Sequence, residues 1–241
     1  MSRTAVVTGA GSGVGQAVAL HLVREGWNVG LVGRRESALK DTLTLAGQSS
    51  PKMIAAPCDV GDPAQVERAA KLIEEKFGPP EVLVAAAGLN IPKRAWEVLN
   101  YEDFKHVIDA NLAGTFNWVR RVLPSMRKAQ NGTIVAIVSD AALTAMPKAG
   151  AAYTASKFAQ RGLVQSINAE ERQNGIRATA ILPGDINTPI LDKRPVPPPP
   201  EARVNMLQAD DVAACVMLAV NLPGRAIVEE LLVRPRFVPV K

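Results

Sequence analysis

Histidine and cysteine are nearly missing from this chain, with two of each among 241 residues. Cys58 and Cys215 lie far apart, and neither has a second Cys or a His at metal-ligand spacing. That pattern excludes a disulfide framework and gives no metal site to expect, so both thiols read as buried. His21 and His106 fall in helical segments without a Ser, Cys or ligand cluster to work with, and surface or edge positions are expected for both. Aromatic residues are scarce at 4%, and Trp27, Trp96 and Trp118 stand alone. Isolated rings suit core or interface packing better than a stacking platform for bases.

Runs of like charge are absent too. Lys and Arg number 28 against 23 Asp and Glu, a net charge of +5, but they are scattered along the chain. Nucleic acid is therefore not an expected partner. The mild excess suits an anionic cofactor or, equally, a solvated surface. Asp103 and Asp109, six positions apart on a helix, face different directions and do not make an acid pair. No apolar run approaches a membrane span, and the run after Met1-Ser2-Arg3 is too short for a signal-peptide core. A cytoplasmic protein without membrane contact is expected.

What is present is a rhythm. Hydrophobic residues make up 47% of the chain. Short runs rich in Val, Ile and Ala, at 4–8, 28–32, 53–56, 82–86, 133–138, 176–182 and 227–233, read as strands. Such runs need cover on both faces, which is what a parallel sheet with crossover helices supplies. Helical patterns fill the gaps at 13–25, 36–46, 63–77, 101–127, 153–173 and 209–221. Several end at Gly26, Gly78 or Gly175, and Asp62-Pro63 opens one as cap and first residue. The alternation predicts an α/β fold: a single doubly wound (Rossmann) domain over residues 1–241, with a mostly parallel seven-stranded sheet and helices on both faces. Pro195-Val196-Pro197-Pro198-Pro199-Pro200 breaks the rhythm and reads as loop. The stretch 189–205 fits a stiff connector, a substrate lid or a polyproline ligand, and its place after the sixth strand favours the lid.

After the first strand comes Thr8-Gly9-Ala10-Gly11-Ser12-Gly13-Val14-Gly15, and an apolar helix follows at once. Strand, glycine loop and helix start are the parts of a pyrophosphate cradle, since backbone N–H groups and the helix dipole favour an anion there. A plain tight turn is the other reading. Tyr153 and Lys157, four apart in a helical segment, project from one face. An ammonium beside a phenol favours the phenolate and would lower the tyrosine from its usual pKa of about 10. Ser139 ends the fifth strand at the edge where open α/β sheets bind ligands, and its hydroxyl can donate to a developing oxyanion. Asn111 lies within an apolar helical pattern traced by Phe104, Val107, Ile108, Leu112 and Phe116, where an amide needs a partner. Structural and functional readings of it stand level.

In this order, Thr8 to Gly15, Asn111, Ile134-Val135 through Ser139, Tyr153-Thr154-Ala155-Ser156-Lys157 and Pro183-Gly184-Asp185-Ile186-Asn187-Thr188 resemble the short-chain dehydrogenase/reductase family over nearly the whole chain. The resemblance implies that Tyr153 is the general acid/base. Lys157 would bind the nicotinamide ribose and lower the Tyr153 pKa, Ser139 orient substrate and Asn111 support a water relay. It further implies cofactor contacts from Gly9, Ser12, Gly13, Val14, Gly15, Asp59, Val60, Ala87, Gly88, Pro183, Gly184, Ile186 and Thr188. Asp59 reads equally as a loop cap, and Pro183-Gly184 as a turn. One departure is Ala85-Ala86-Ala87-Gly88, where the family often has Asn-Asn-Ala-Gly.

The second strand ends at Gly33-Arg34-Arg35, where an NAD enzyme would carry an acidic residue. A guanidinium there would pair with a 2′-phosphate, so NADP is expected over NAD, with Arg34 the main contact and Arg35 and Ser12 beside it. Solvation of the next helix start is the competing reading. The sum is an NADP-dependent carbonyl reductase acting on a small ketone or secondary alcohol. A cofactor-binding scaffold protein, or an epimerase or dehydratase, would fit the same residues. The resemblance also implies a homo-oligomer, dimer or tetramer, built partly on the helices that begin near Tyr101 and Tyr153.

Overall fold

A computed structural model describes residues 3–236. Among the described residues seven strands form one sheet: β1 (Thr4–Thr8), β2 (Asn28–Gly33), β3 (Met53–Pro57), β4 (Val82–Ala85), β5 (Gly132–Ile137), β6 (Ile176–Pro183) and β7 (Glu230–Val233). The order is β3-β2-β1-β4-β5-β6-β7, and every neighbouring pair is parallel. The expectation of a mostly parallel sheet is thus exceeded. The reason lies in burial: every residue of β1, β4 and β5 is inside, so neither face of these strands can meet water and helices must cover both.

One face carries α1 (Gly13–Arg24), α2 (Glu36–Leu45) and α8 (Ala209–Asn221), whose Leu22, Leu39 and Val216 pack with Val7 and Leu31. The other carries α3 (Pro63–Phe77), α4 (Tyr101–Ile108), α5 (Gly114–Ala129) and α6 (Ala151–Glu171), with Ile73, Trp118 and Val164 against Leu83 and Ile134. The start of α3 follows its sequence closely. Asp62 accepts from the N–H groups of Ala64 and Gln65 at 2.8 and 3.2 Å, Pro63 fills the first helical position, and Gly78 ends the helix at φ +83°. Arg127 and Glu171 pair across the ends of α5 and α6.

Five sequence expectations change. The single helix over 101–127 is α4 and α5 joined by a π-helical turn, Asp109–Ala113. Phe116, expected on its buried face, is exposed, as are Trp96 and Phe158. The last strand begins at Glu230 rather than 227. The proline stretch is not wholly irregular: Pro189–Lys193 is a 3-10 turn and Pro200 opens a short helix, α7 (Pro200–Arg203). Proline suits that first position because its missing N–H would have no partner there. Cys58 is buried as expected, but Cys215, also expected inside, is only half-buried. Among the described residues no helix is long and apolar enough to cross a membrane.

Candidate active site

Strand order reverses between β1 and β4, so the loops after these strands diverge and leave a crevice at their carboxyl ends. Its floor is the glycine loop. Gly9 has φ +68°, and a Cβ there would lie 2.8 Å from the carbonyl oxygen of Ala86; one on Gly15 would lie 2.4 Å from that of Gly9. The backbone therefore folds closer than any side chain allows. Gly13, at φ +53°, begins α1, whose first turn holds no acidic residue. Ser12 precedes it in an extended conformation, and its side chain makes no capping hydrogen bond. Free N–H groups at a helix start with no carboxylate nearby suit a pyrophosphate.

Two adjoining cavities share Gly9, Ser12 and Gly88 in their walls. The larger, about 820 Å³, is bordered by Arg34, Arg35, Asp59, Val60 and Ala87. Asp59 also accepts the N–H of Gly61 at 3.0 Å, the loop-capping role its position allows. The family's usual amides after β4 are missing, and the Thr8 hydroxyl ties this loop instead, accepting the Ala87 N–H at 2.9 Å. The smaller cavity, about 260 Å³, runs from Gly13, Val14 and Gly15 past Ser139, Tyr153 and Lys157 to Pro183, Gly184, Ile186 and Thr188. The dinucleotide contacts expected from sequence thus line one continuous cleft. Asn111 lines neither cavity.

Asn111 is fully buried inside the π turn. Its Oδ1 accepts the Leu89 N–H at 2.8 Å, and its Nδ2 donates to the Leu89 carbonyl at 3.1 Å and to Ser156 Oγ at 3.0 Å. The side chain is a satisfied brace between two segments, and the backbone carbonyl oxygen of Asn111 accepts the Thr115 hydroxyl at 3.0 Å.

Lys157 is 3% exposed. Its Nζ donates to the carbonyl oxygen of Ile137 at 2.9 Å and to Gln160 Oε1 at 2.7 Å, both neutral acceptors. Burial pushes the ammonium down to about 7. Tyr153 has its ring centroid 5.6 Å from Lys157 Nζ. The expected lowering of its phenol is overturned: burial raises it, against a hydrogen bond with Ser139 and the guanidinium groups of Arg194 and Arg94 that lower it. The physical reason is competition. Burial penalises the phenolate, and it also strips Lys157 of its charge over the range where a phenol ionises.

Ser139 Oγ accepts the Ala141 N–H at 3.1 Å, at the head of a short 3-10 turn, and this fixes the hydroxyl beside Tyr153. Sequence reasoning missed Arg94, Lys148, Asp185 and Arg194, which border the same cavity. Asp185 pairs with both Lys148, at 2.8 Å, and Arg194, at 2.6 Å. It missed Gln160 as well, although that residue lies seven positions after Tyr153, on the same helix face.

A hydroxyl, a phenol and a lysine beside a dinucleotide-sized cleft are the equipment of an oxidoreductase with a nicotinamide-binding fold. The comparisons agree. The family model described as short chain dehydrogenase matches residues 3–196. An uncharacterized oxidoreductase of Staphylococcus aureus is 30% identical, with 97% of each chain covered. A glycine betaine reductase of Emericella nidulans is 34% identical over 99% of this chain, which spans only 19% of that longer protein. An alcohol dehydrogenase from the archaeon Thermococcus sibiricus, solved with 5-hydroxy-NADP, superposes at a TM-score of 0.87 with 29% identity over the full length of both chains. This chain belongs to the short-chain dehydrogenase family.

Proposed function

We propose that the chain transfers a hydride between NADP(H) and a ketone or secondary alcohol, with Tyr153 carrying the proton. The observation that carries this reading is the convergence of Ser139, Tyr153 and Lys157 on one cavity that opens onto the glycine loop. The cofactor, when bound, supplies or accepts the hydride. In reduction the phenol gives its proton to the oxygen of the substrate, and Ser139 holds that oxygen. A protonated Tyr153 is the acid the step consumes, and the Ser139 hydrogen bond and the nearby Arg194 and Arg94 guanidinium groups, which lower the phenol against its burial, ease the release of that proton. Gly9 to Gly15 would hold the pyrophosphate, Lys157 the nicotinamide ribose, and Ile186 and Thr188 the carboxamide. Arg34, exposed at the wall of the larger cavity, would meet a 2′-phosphate, which favours NADP over NAD. Residues 189–205 act as a substrate lid in this reading, because Pro189, Ile190, Leu191 and Arg194 border the catalytic cavity.

Replacing Tyr153 with Phe is expected to lower turnover at least ~100-fold while NADPH still binds. Undiminished turnover would refute the role. A panel of ketones and alcohols followed by NADPH absorbance separates this chemistry from a scaffold, which turns nothing over, and from epimerisation, which consumes no cofactor.

The chain is further read as a homo-oligomer through α5 and α6, whose Phe116 and Phe158 are 46% and 44% exposed. Light scattering that gave the single-chain mass of 25.6 kDa would sink that reading.

A further inference from the structure

Lys157 is held by a residue outside the Tyr153-to-Lys157 motif. Gln160 is completely buried, one turn further along α6. A buried amide costs free energy unless all its groups are paired, and this one is paired at both ends. Its Oε1 accepts from Lys157 Nζ at 2.7 Å, and its Nε2 donates to Thr115 Oγ1 at 2.8 Å. Thr115, itself buried, donates in turn to the carbonyl oxygen of Asn111 at 3.0 Å. The chain Lys157, Gln160, Thr115, Asn111 therefore crosses from α6 through α5 to the π turn, with every hydrogen pointing away from the lysine.

That polarity has a consequence. The chain ends on a carbonyl, which has no proton to give and no base beyond it, so it stabilises an ammonium without draining its proton. We infer that Gln160 is a positioning residue: it favours the charged form of Lys157 against the effect of burial and locates it against the end of β5 and beside Tyr153. The inference rests on the hydride-transfer reading for its use in catalysis, though not for its geometry.

The groups facing Lys157 Nζ are few. Tyr153 lies on its own helix, the Ile137 carbonyl on β5, and Gly88 after β4, where a Cβ would come within 3.7 Å. Asp140, Arg94 and Arg194 act on Tyr153, whereas Lys157 is lowered by burial with no charged group acting on it. Among the described residues no carboxylate pairs with the ammonium, and the Gln160 oxygen and the Ile137 carbonyl share that task.

Removing the Gln160 oxygen raises the energy of both ammonium-bearing states of the Tyr153–Lys157 pair, phenol with ammonium and phenolate with ammonium, by the same amount. The neutral pair, phenol with amine, is untouched and gains population. In alcohol oxidation the phenolate beside an ammonium is the working base. Below the acid limb its share relative to phenol with ammonium does not change, and above the limb it falls.

The test uses full-length chain carrying carbon-13 at lysine Cε, with the Lys157 resonance identified by its loss in Lys157→Met. Gln160→Met, similar in length but without the acceptor, is expected to lower the Lys157 midpoint by about one pH unit. In the pH profile of kcat/KM for alcohol oxidation, the acid limb moves down by the same amount. The rate below the limb is kept and the plateau falls about tenfold.

An unmoved Lys157 midpoint in folded Gln160→Met overturns the proposal. A moved midpoint in chains that turn over no substrate upholds it and refutes the hydride-transfer reading instead. Should Gln160→Met not fold, Thr115→Val, which unties Gln160 Nε2, is compared with Thr115→Ser, which keeps the hydroxyl. A lower midpoint in the Val variant alone upholds the proposal, and equal midpoints overturn it.

Discussion

Arg94 Nη2 donates to the carbonyl oxygen of Lys193 at 2.7 Å, so a cation in the segment after β4 grips the segment that follows β6. The same guanidinium donates from Nε to the Ile91 carbonyl at 2.7 Å and from Nη1 to that of Lys148 at 3.0 Å. Gly150 makes this fit possible, since a Cβ there would lie 2.6 Å from that of Arg94. Three walls of the catalytic cavity thus meet at one side chain that is 6% exposed.

Arg94→Met is expected to cost about 2–4 kcal/mol of stability. That is less than three charged hydrogen bonds at about 1.5–3 kcal/mol each would suggest, because the freed carbonyls regain water. Amide exchange should quicken across 189–205, and KM should rise more than kcat falls. Hydrogen exchange by mass spectrometry decides the matter: protection unchanged in that segment would mean Arg94 does not hold a lid.

Arg34 offers a second test. Arg34→Ala is expected to weaken NADPH binding by about 10- to 100-fold, the worth of a charge-assisted hydrogen bond, and to leave NADH binding nearly unchanged. Fluorescence titration with both cofactors measures it. Equal losses for the two would show that Arg34 does not read the 2′-phosphate.

Acid should weaken the fold through Glu171 and Asp185. Glu171, whose side chain is 5% exposed, is held below its ordinary 4.5 by hydrogen bonds from Arg127 and Asn174. Burial pushes Asp185 up, but Lys148 and Arg194 outweigh it and hold the carboxyl below its ordinary 3.8. A carboxylate lowered in the folded state contributes stability above its unfolded value, and that contribution is lost as pH falls through the folded value. Thermal unfolding from neutral pH down to about pH 3 should therefore show a falling Tm beginning near 4.5. Glu171→Gln should lower the Tm at neutral pH and flatten that fall. An unchanged slope would remove Glu171 from the account.

The strands were legible because β1, β4 and β5 are apolar on both faces, and α3 because Asp62, Pro63 and Gly78 mark its ends locally. Tyr153, Lys157, Ser139 and the glycine loop were legible because their chemistry sits in short contiguous motifs. The π turn was not, since it depends on Asn111 meeting Leu89, 22 positions away. Arg94 gave no local signal either, because its acceptors Lys148 and Lys193 are brought together only by the fold. The phenol of Tyr153 was misjudged for a similar reason: charge spacing along a helix is visible in sequence, and the depth to which other segments bury that helix is not.

The position of β1 matters for how the chain comes off the ribosome. β1, made before both of its neighbours, ends up between β2 and β4, so its second edge stays open until residue 85 has been added. At about 5–20 residues per second, the 77 residues added after Thr8 up to and including Ala85 take about 4–15 s. Through that interval the newborn chain presents an apolar strand edge that only its own later sequence can close. The hydrogen bond from Ala87 to the Thr8 hydroxyl, the first tie beyond the paired strands, follows as soon as β4 docks.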